Sequence, residues 1–399
     1  MIKPGWCFFG VLFSFAISSI YFFQFPHLFD SYFFITIYLL ITYYTIIAVA
    51  TDKETYLKKN LIRCLPKALG KYVFWGLLIF GACTFYNNHP FYKNNFPGTI
   101  KFFRNIFTLF LYCGFPYFVL AEKFRSSFGN YYHDPYLRFL SLLRLLSKGN
   151  IKIVGRRIIR GFFRQFFLSL VFRVHYIAIM VDQIYFYQKN FLGNLMNNTT
   201  PGLHLAGLIS IITALAWSID ANNASMGYFW ESDFTKTRFK GIDPFPTHWF
   251  VTLICYHPFN TFAYTFLPYF GSPGTSQFLF EGAIMQYAIE IVGVIFLLGY
   301  IYAGTSLNFS CSNLSYKKIQ TRGLYRIVRH PATFFKMGYL FILVFKLKSS
   351  WALTTIAGYI IWTTIYILRT ICEERYLKRF QEYRDYMEQT KYRIIPGLF

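Results

Sequence analysis

The sequence predicts an all-α, polytopic membrane protein of about ten transmembrane helices, ending in a C-terminal helical hairpin. Three observations predict it. Of 399 residues, 55% are hydrophobic and 14% charged, with a mean hydropathy of +0.35; a water-soluble domain is about a quarter charged. Apolar runs near the roughly 20 residues needed to cross the hydrocarbon recur along the chain. Basic residues fall almost wholly in alternate connections between those runs. This excludes a disordered chain, a collagen-like fibre and an ordinary cytosolic globule.

The spans are read at 7–26, 31–50, 73–86, 102–120, 166–181, 203–220, 249–268, 279–302, 334–345 and 351–368. The first lacks a clear small-residue cleavage site and reads as a span, not a removable signal. The last two, broken by Lys346, Lys348 and two serines, form the hairpin; a re-entrant 334–345 would leave nine spans. With the N-terminus inside, the inside segments hold 33 of the 40 Lys and Arg. The outside segments hold five: Lys93, Lys101, Lys189, Lys346 and Lys348. That asymmetry places both termini in the cytoplasm. The net charge of +23 then reflects loops facing anionic lipid, with no nucleic acid as partner. Seven scattered Cys with no CxxC pair outline neither a disulfide scaffold nor a zinc site.

Residues 1–270 form an N-terminal transmembrane region with no assigned role. Its inside segment 136–165 alternates Leu and Ile with Arg144, Lys148, Arg156, Arg157 and Arg160, and reads as an amphipathic helix on the headgroups. Charged groups inside spans are functional candidates by default. Arg173 and His175 read as buried partners of neighbouring helices. Glu290, deep in the eighth span, is a candidate substrate contact. Asp243, His248 and His257 match no zinc spacing, so no metal is expected, and their Pro-rich loop reads as a lid or as punctuation. Sequons at Asn197 and Asn198 fall in an outside loop.

Residues 271–399 carry the densest chemistry. Arg326, Arg329 and His330 stand before the hairpin, and Arg369, Glu373 and Glu374 stand after it. A hairpin returns its two feet to one membrane face, which brings these groups together. Arg369 and Glu373, four residues apart, share a helix face. Arg offers a forked donor set for carboxylate or phosphate, and Pro331 bars His330 from the helical region. The set suits a small zwitterionic or anionic ligand at the membrane boundary.

Gly323-Leu324-Tyr325, Arg329-His330-Pro331, Arg369 and Glu373-Glu374, followed by Tyr376, Phe380, Tyr383, Tyr386 and Pro396, resemble the isoprenylcysteine carboxyl methyltransferase family of membrane methyltransferases. The resemblance covers about 283–399. It implies S-adenosylmethionine as cofactor and a lipid-like or prenylated acceptor among membrane lipids, with methyl transfer at the cytoplasmic face. Carried over by position, Tyr325, His330 and Glu374 would line the cofactor pocket, and Arg329 and Pro331 would shape its loop. Arg369 would orient the acceptor, and Glu373 would hold Arg369. Thr333 stands where the family usually has Tyr, and Lys336 suits an acidic substrate or a phosphate. Two alternatives remain open. One is a sterol-reductase-like oxidoreductase using NADPH, to which the closing YRIIPGLF is also similar. The other is a non-enzymatic lipid-binding or transport protein.

Overall fold

The computed structural model describes residues 3–25, 39, 41–43, 46, 60–123, 135–149, 152–153, 162–198, 204–229, 237, 239–256, 259–260, 263 and 277–398. Its helices are α1 (Pro4–Gln24), α2 (Leu61–Asn88), α3 (Pro90–Asn95), α4 (Pro97–Lys123), α5 (Pro135–Ser147), α6 (Phe162–Asn198) and α7 (Leu205–Phe229). Then come strand β1 (Gly241–Ile242), α8 (Pro246–Leu253), α9 (Ala283–Leu307), strand β2 (Ser315–Tyr316), α10 (Pro331–Phe345), α11 (Leu353–Leu377) and α12 (Gln381–Gln389). Six helices open on a proline, the residue that lacks the amide a first turn cannot use. α2 is capped by Asn60, whose side chain accepts from Ile62 N at 3.0 Å.

Among the described residues the fold is all-α apart from the two-residue ribbon β1–β2. Six helices, α1, α2, α4, α7, α9 and α11, are long and apolar enough to cross a membrane. The exposed faces of α2 and α4 are apolar, with Leu69, Leu77, Phe80, Leu109, Leu111 and Leu120 in the open. Such contiguous apolar surface belongs against lipid.

The helices overrun the spans read from hydropathy. α2 starts at Leu61, so Arg63, Lys67 and Lys71 sit on the helix itself and not in a loop. α6 has 37 residues, about 55 Å at the usual rise, and contains 166–181 as a central part. The segment 249–268 departs most from expectation: α8 stops at Leu253, where Cys255 N and Tyr256 N turn back onto Thr252 O and Leu253 O. Most of its remainder, and nearly all of 31–50, lies outside the described residues. The amphipathic helix read at 136–165 is present as α5, ending in a turn at Lys148–Gly149; residues 150–151 and 154–161 lie outside the described set, as do the side chains of Arg173 and His175.

Four packed pairs organise the bundle: α6 with α7, α2 with α4, α9 with α10, and α7 with α9. α1 also packs on α9, so helices of the N-terminal region help to enclose the C-terminal one. The α9–α10 seam is close because Gly338 presents bare backbone to Phe296, whose ring atoms would lie 2.2 Å from an added Cβ. Charged pairs sit where antiparallel neighbours end. Lys71 pairs with Glu122 where α2 begins and α4 finishes, and Lys346 pairs with Glu290 at the opposite end of the α9–α10 pair from Arg329. α10 packs its backbone closely on α9 and meets α11 through side chains: Tyr359 Oη donates to Met337 O at 3.1 Å, and the Phe341 and Phe345 rings lie against Tyr359. The feet of the hairpin meet through the segments that follow.

Candidate functional site

Two stripes of α11 build the site. Thr370, Glu374 and Leu377 follow helical spacing and are buried toward the C-terminal tail. Tyr366, Arg369, Glu373 and Tyr376 form the adjoining stripe and face the interior of the bundle.

On the first stripe Glu374 is 1% exposed at its side chain and gathers two guanidinium groups and an imidazole. Arg329 donates from Nε at 2.7 Å and from Nη2 at 3.4 Å. Arg393 donates from Nη2 at 2.9 Å. His330 Nε2 lies 3.3 Å away, off the direction of a hydrogen bond. The tail is tied to the same point. Arg329 N and His330 N donate to Tyr392 O and Arg393 O, Arg329 Nη1 donates to Thr390 O at 2.8 Å, and Tyr386 Oη donates to Tyr325 O at 2.6 Å. Arg329-His330-Pro331 and Glu373-Glu374 thus converge. Pro331 opens α10, and Tyr325 is buried in a short 3-10 turn at Gly323–Arg326. The Glu374 carboxylate is already saturated, so its place is structural: it holds the loop that carries His330.

Behind Glu374, α12 docks through a small core of Tyr316, Ile319, Tyr376, Leu377, Tyr383 and Tyr386. Glu382 accepts from Lys240 Nζ at 2.8 Å and from Tyr316 Oη. Burial would raise the Glu382 carboxyl, but those two hydrogen bonds outweigh it and hold it below its ordinary value. A carboxyl depressed in the folded state stabilises above its unfolded value, near 4.5, and loses that contribution as pH falls through the depressed folded value. The pair is about half exposed, so the effect stays within about 1 kcal/mol. Protection of the Lys240 amide against hydrogen exchange, relative to its intrinsic rate, should fall as the pH drops below 4.5 in the native chain, because that amide is bonded to Tyr316 O at 2.7 Å. That loss of protection should vanish in Glu382→Gln.

The second stripe meets a constellation that the sequence reading missed. Arg369 donates to Asn313 Oδ1 and stands 5.7 Å from the Tyr256 ring centroid. Asn313 is fixed by the Tyr228 and Tyr256 hydroxyls, and Tyr176 stacks on Tyr228 with ring centroids 5.0 Å apart. Tyr300 Oη donates to Asp220 at 3.0 Å. Lys336 has no hydrogen bond or ion pair among the described residues; it lies over the rings of Tyr366 at 5.1 Å and Tyr300 at 5.6 Å. Glu373 lines a crevice of about 10 Å³ with Arg369, Asn313 and Asp243 but forms no ion pair with Arg369: Asn313 takes the guanidinium instead.

Asp220 of α7, Tyr300 of α9, Lys336 of α10, Tyr366 and Arg369 of α11, and Tyr256 after α8 form one enclosed cluster, and the crevice of about 10 Å³ opens beside its Arg369. Two non-glycine residues with positive φ, Asn308 at 43° and Leu314 at 52°, bracket the loop that carries Asn313 into it. Such strain gathers at functional sites.

Asp243 has a different role. Its Oδ1 accepts from Phe245 N at 2.9 Å and its Oδ2 lies 2.6 Å from His248 Nδ1, which fixes the start of α8. No metal-binding group of three or more such ligands occurs among the described residues, and His257 lies outside them. Searches with this chain find no matching family model, no matching curated protein and no matching solved structure.

Proposed function

We propose that the chain is an integral membrane methyltransferase that uses S-adenosylmethionine to methylate a lipid-like acceptor, with ten spans and both termini cytoplasmic. The observation that carries the reading is the meeting of Arg329 with Glu374, 45 residues along the chain, and of His330 with the same carboxylate, beside a cluster of enclosed charges. Lys336, Arg369 and Asp220 are sparsely paired in a lipid-embedded bundle. Charges left that way are costly and mark a ligand site. A ligand with both signs satisfies them, and the cofactor carries a carboxylate, an ammonium and a sulfonium.

When bound, the cofactor supplies an electrophilic methyl group on sulfur. Asp220 would face its cationic end, while the Tyr256, Tyr300 and Tyr366 rings hold Arg369 and Lys336 over their faces. Tyr325 and His330 would close the pocket from the loop side, with Arg329, Pro331 and Glu374 fixing that loop. Lys336 and Arg369 would hold an anionic group of the acceptor, and Asn313 holds Arg369 in register. Catalysis of this kind is alignment and exclusion of water, which an enclosed cluster favours. Arg329-His330-Pro331 supports this reading over a sterol-reductase-like enzyme, a family that usually lacks the Pro after the His. A transport or lipid-binding role predicts no methyl transfer.

The test is direct. S-adenosylhomocysteine should raise the melting midpoint of the detergent-purified chain by ligand linkage, and NADPH should not. Incubated with labelled S-adenosylmethionine and host membranes, the chain should label the lipid fraction. Arg369→Ala should cut that labelling by about a hundredfold while the S-adenosylhomocysteine shift persists. Stabilisation by NADPH alone would replace this reading with the reductase.

A further inference from the structure

Glu290 lines a second cavity, which the proposed activity leaves unused. Its volume is about 310 Å³, and Tyr187, Asn190, Trp217, Glu290, Tyr339 and Lys346 are among its walls. It lies at the far end of α10 from Arg329 and His330, about 22 Å along the helix axis for 15 residues. Trp217 stands in its wall, with Tyr300 of the Arg369 cluster 6.0 Å away between ring centroids.

Two features of its lining select a ligand class. Glu290 Oε1 and Lys346 Nζ lie 2.5 Å apart, so one wall presents a carboxylate and an ammonium side by side. Next to them three rings form a continuous face. Tyr187 stacks on Trp217 at 5.8 Å, and Tyr339 meets Trp217 edge-on at 5.9 Å. Rings beside a carboxylate attract an organic cation, and the ammonium attracts an anion. A ligand of a single sign would strand the opposite partner in a desolvated site, which is expensive. A zwitterion engages both partners at once. The volume is at the small end for ligand sites; it admits a phosphate joined to a short amine and leaves acyl chains outside.

We propose that this cavity binds a zwitterionic phosphate–amine headgroup, the amine against Glu290 and the ring face, the phosphate against Lys346. The site is independent of the methyltransferase reading, because no group lining it belongs to the Arg369 cluster.

The experiment uses the full chain in nanodiscs holding equal parts phosphatidylethanolamine, phosphatidylglycerol and diacylglycerol, with native mass spectrometry of the released protein. Phosphatidylethanolamine should be retained preferentially. Glu290→Gln and Lys346→Gln should each reduce that retention at least about tenfold. Asn190→Leu, which keeps the size of the side chain and leaves the ion pair intact, should weaken it and serves as the deciding variant if the charge variants fail to fold. A second arm adds soluble phosphoethanolamine to lipid-free protein. A raised melting midpoint there assigns the site to a free zwitterion; retention in nanodiscs without that shift assigns it to a lipid. Equal retention of phosphatidylglycerol, or unchanged retention in all three variants with no shift from phosphoethanolamine, overturns the proposal.

Discussion

Replacing Glu374 with Gln is expected to lower the stability of the folded chain by about 3–5 kcal/mol, the usual result of removing one partner from a buried ionic cluster. Two guanidinium groups and an imidazole now converge on one carboxylate whose side chain is 1% exposed. Without its charge, Arg329 and Arg393 repel each other in a desolvated space. The tail from Thr390 to Arg393 should come away first, since its backbone is bonded to Arg329 and His330. The measurement is the melting midpoint in detergent together with hydrogen exchange at the Arg329 and His330 amides. Arg393→Gln should cost less, because Arg329 keeps its forked contact. An unchanged midpoint and unchanged exchange in Glu374→Gln would show that the carboxylate does not fasten the tail.

Gly227→Ala is expected to disable the site from a distance. A Cβ at position 227 would lie 1.5 Å from the Cys311 carbonyl oxygen and 2.6 Å from its carbon. Those are backbone atoms, so no side-chain rotation relieves the clash, and overpacking of this kind costs at least about 1–3 kcal/mol. The part that gives is the loop after α9, which carries Asn313. Gly227 O also accepts from Lys317 Nζ, so the shift would pull at both ends of that loop. Displacing Asn313 by an ångström or more frees Arg369, and labelling of acceptor lipid should drop about a hundredfold. Gly193→Ala is the control. Nothing lies within 4 Å of its added Cβ, and in a helix that exchange is neutral or stabilising by up to about 1 kcal/mol. Equal activity in the two variants would remove the Asn313 loop from the mechanism.

The helical fold was legible because lipid enforces it: backbone groups in hydrocarbon must bond within their own segment, so apolar runs had to be helices. Their ends were less legible. Arg63, Lys67 and Lys71 suggested a loop, but the helix continues through them: Arg63 and Lys67 stay exposed, and Lys71 is buried against Glu122. The meeting of Arg329 with Glu374 could be read from two motifs flanking a hairpin. The cluster around Arg369 could not. Asp220 is the last residue of the span read at 203–220 and Asn222 and Asn223 fall just beyond it, yet all three sit in α7. Buried, they continue an apolar helix: Asn222 Nδ2 bonds back to Ser218 O, and Asn223 Nδ2 crosses to Gly304 O. The signal was the run SIDANN with no Gly or Pro to end the helix. Tyr228, Tyr256, Tyr300 and Asn313 come from four separate segments, and no local spacing links them.

The first helix has a consequence for how the protein is made. Its helical partner α9 arrives far later in synthesis, as the Asn308 contact to Cys7 across 301 positions records. Until then α1 is held by lighter contacts, such as the Tyr43 hydroxyl on Trp6 O at 2.7 Å and Phe191 of α6 against Phe15. Ser14, Ser18 and Ser19 would be a burden in hydrocarbon, but each hydroxyl donates to the carbonyl four residues earlier in its own helix. The helix therefore has none of these three hydroxyls waiting for α9, and its insertion can precede that docking.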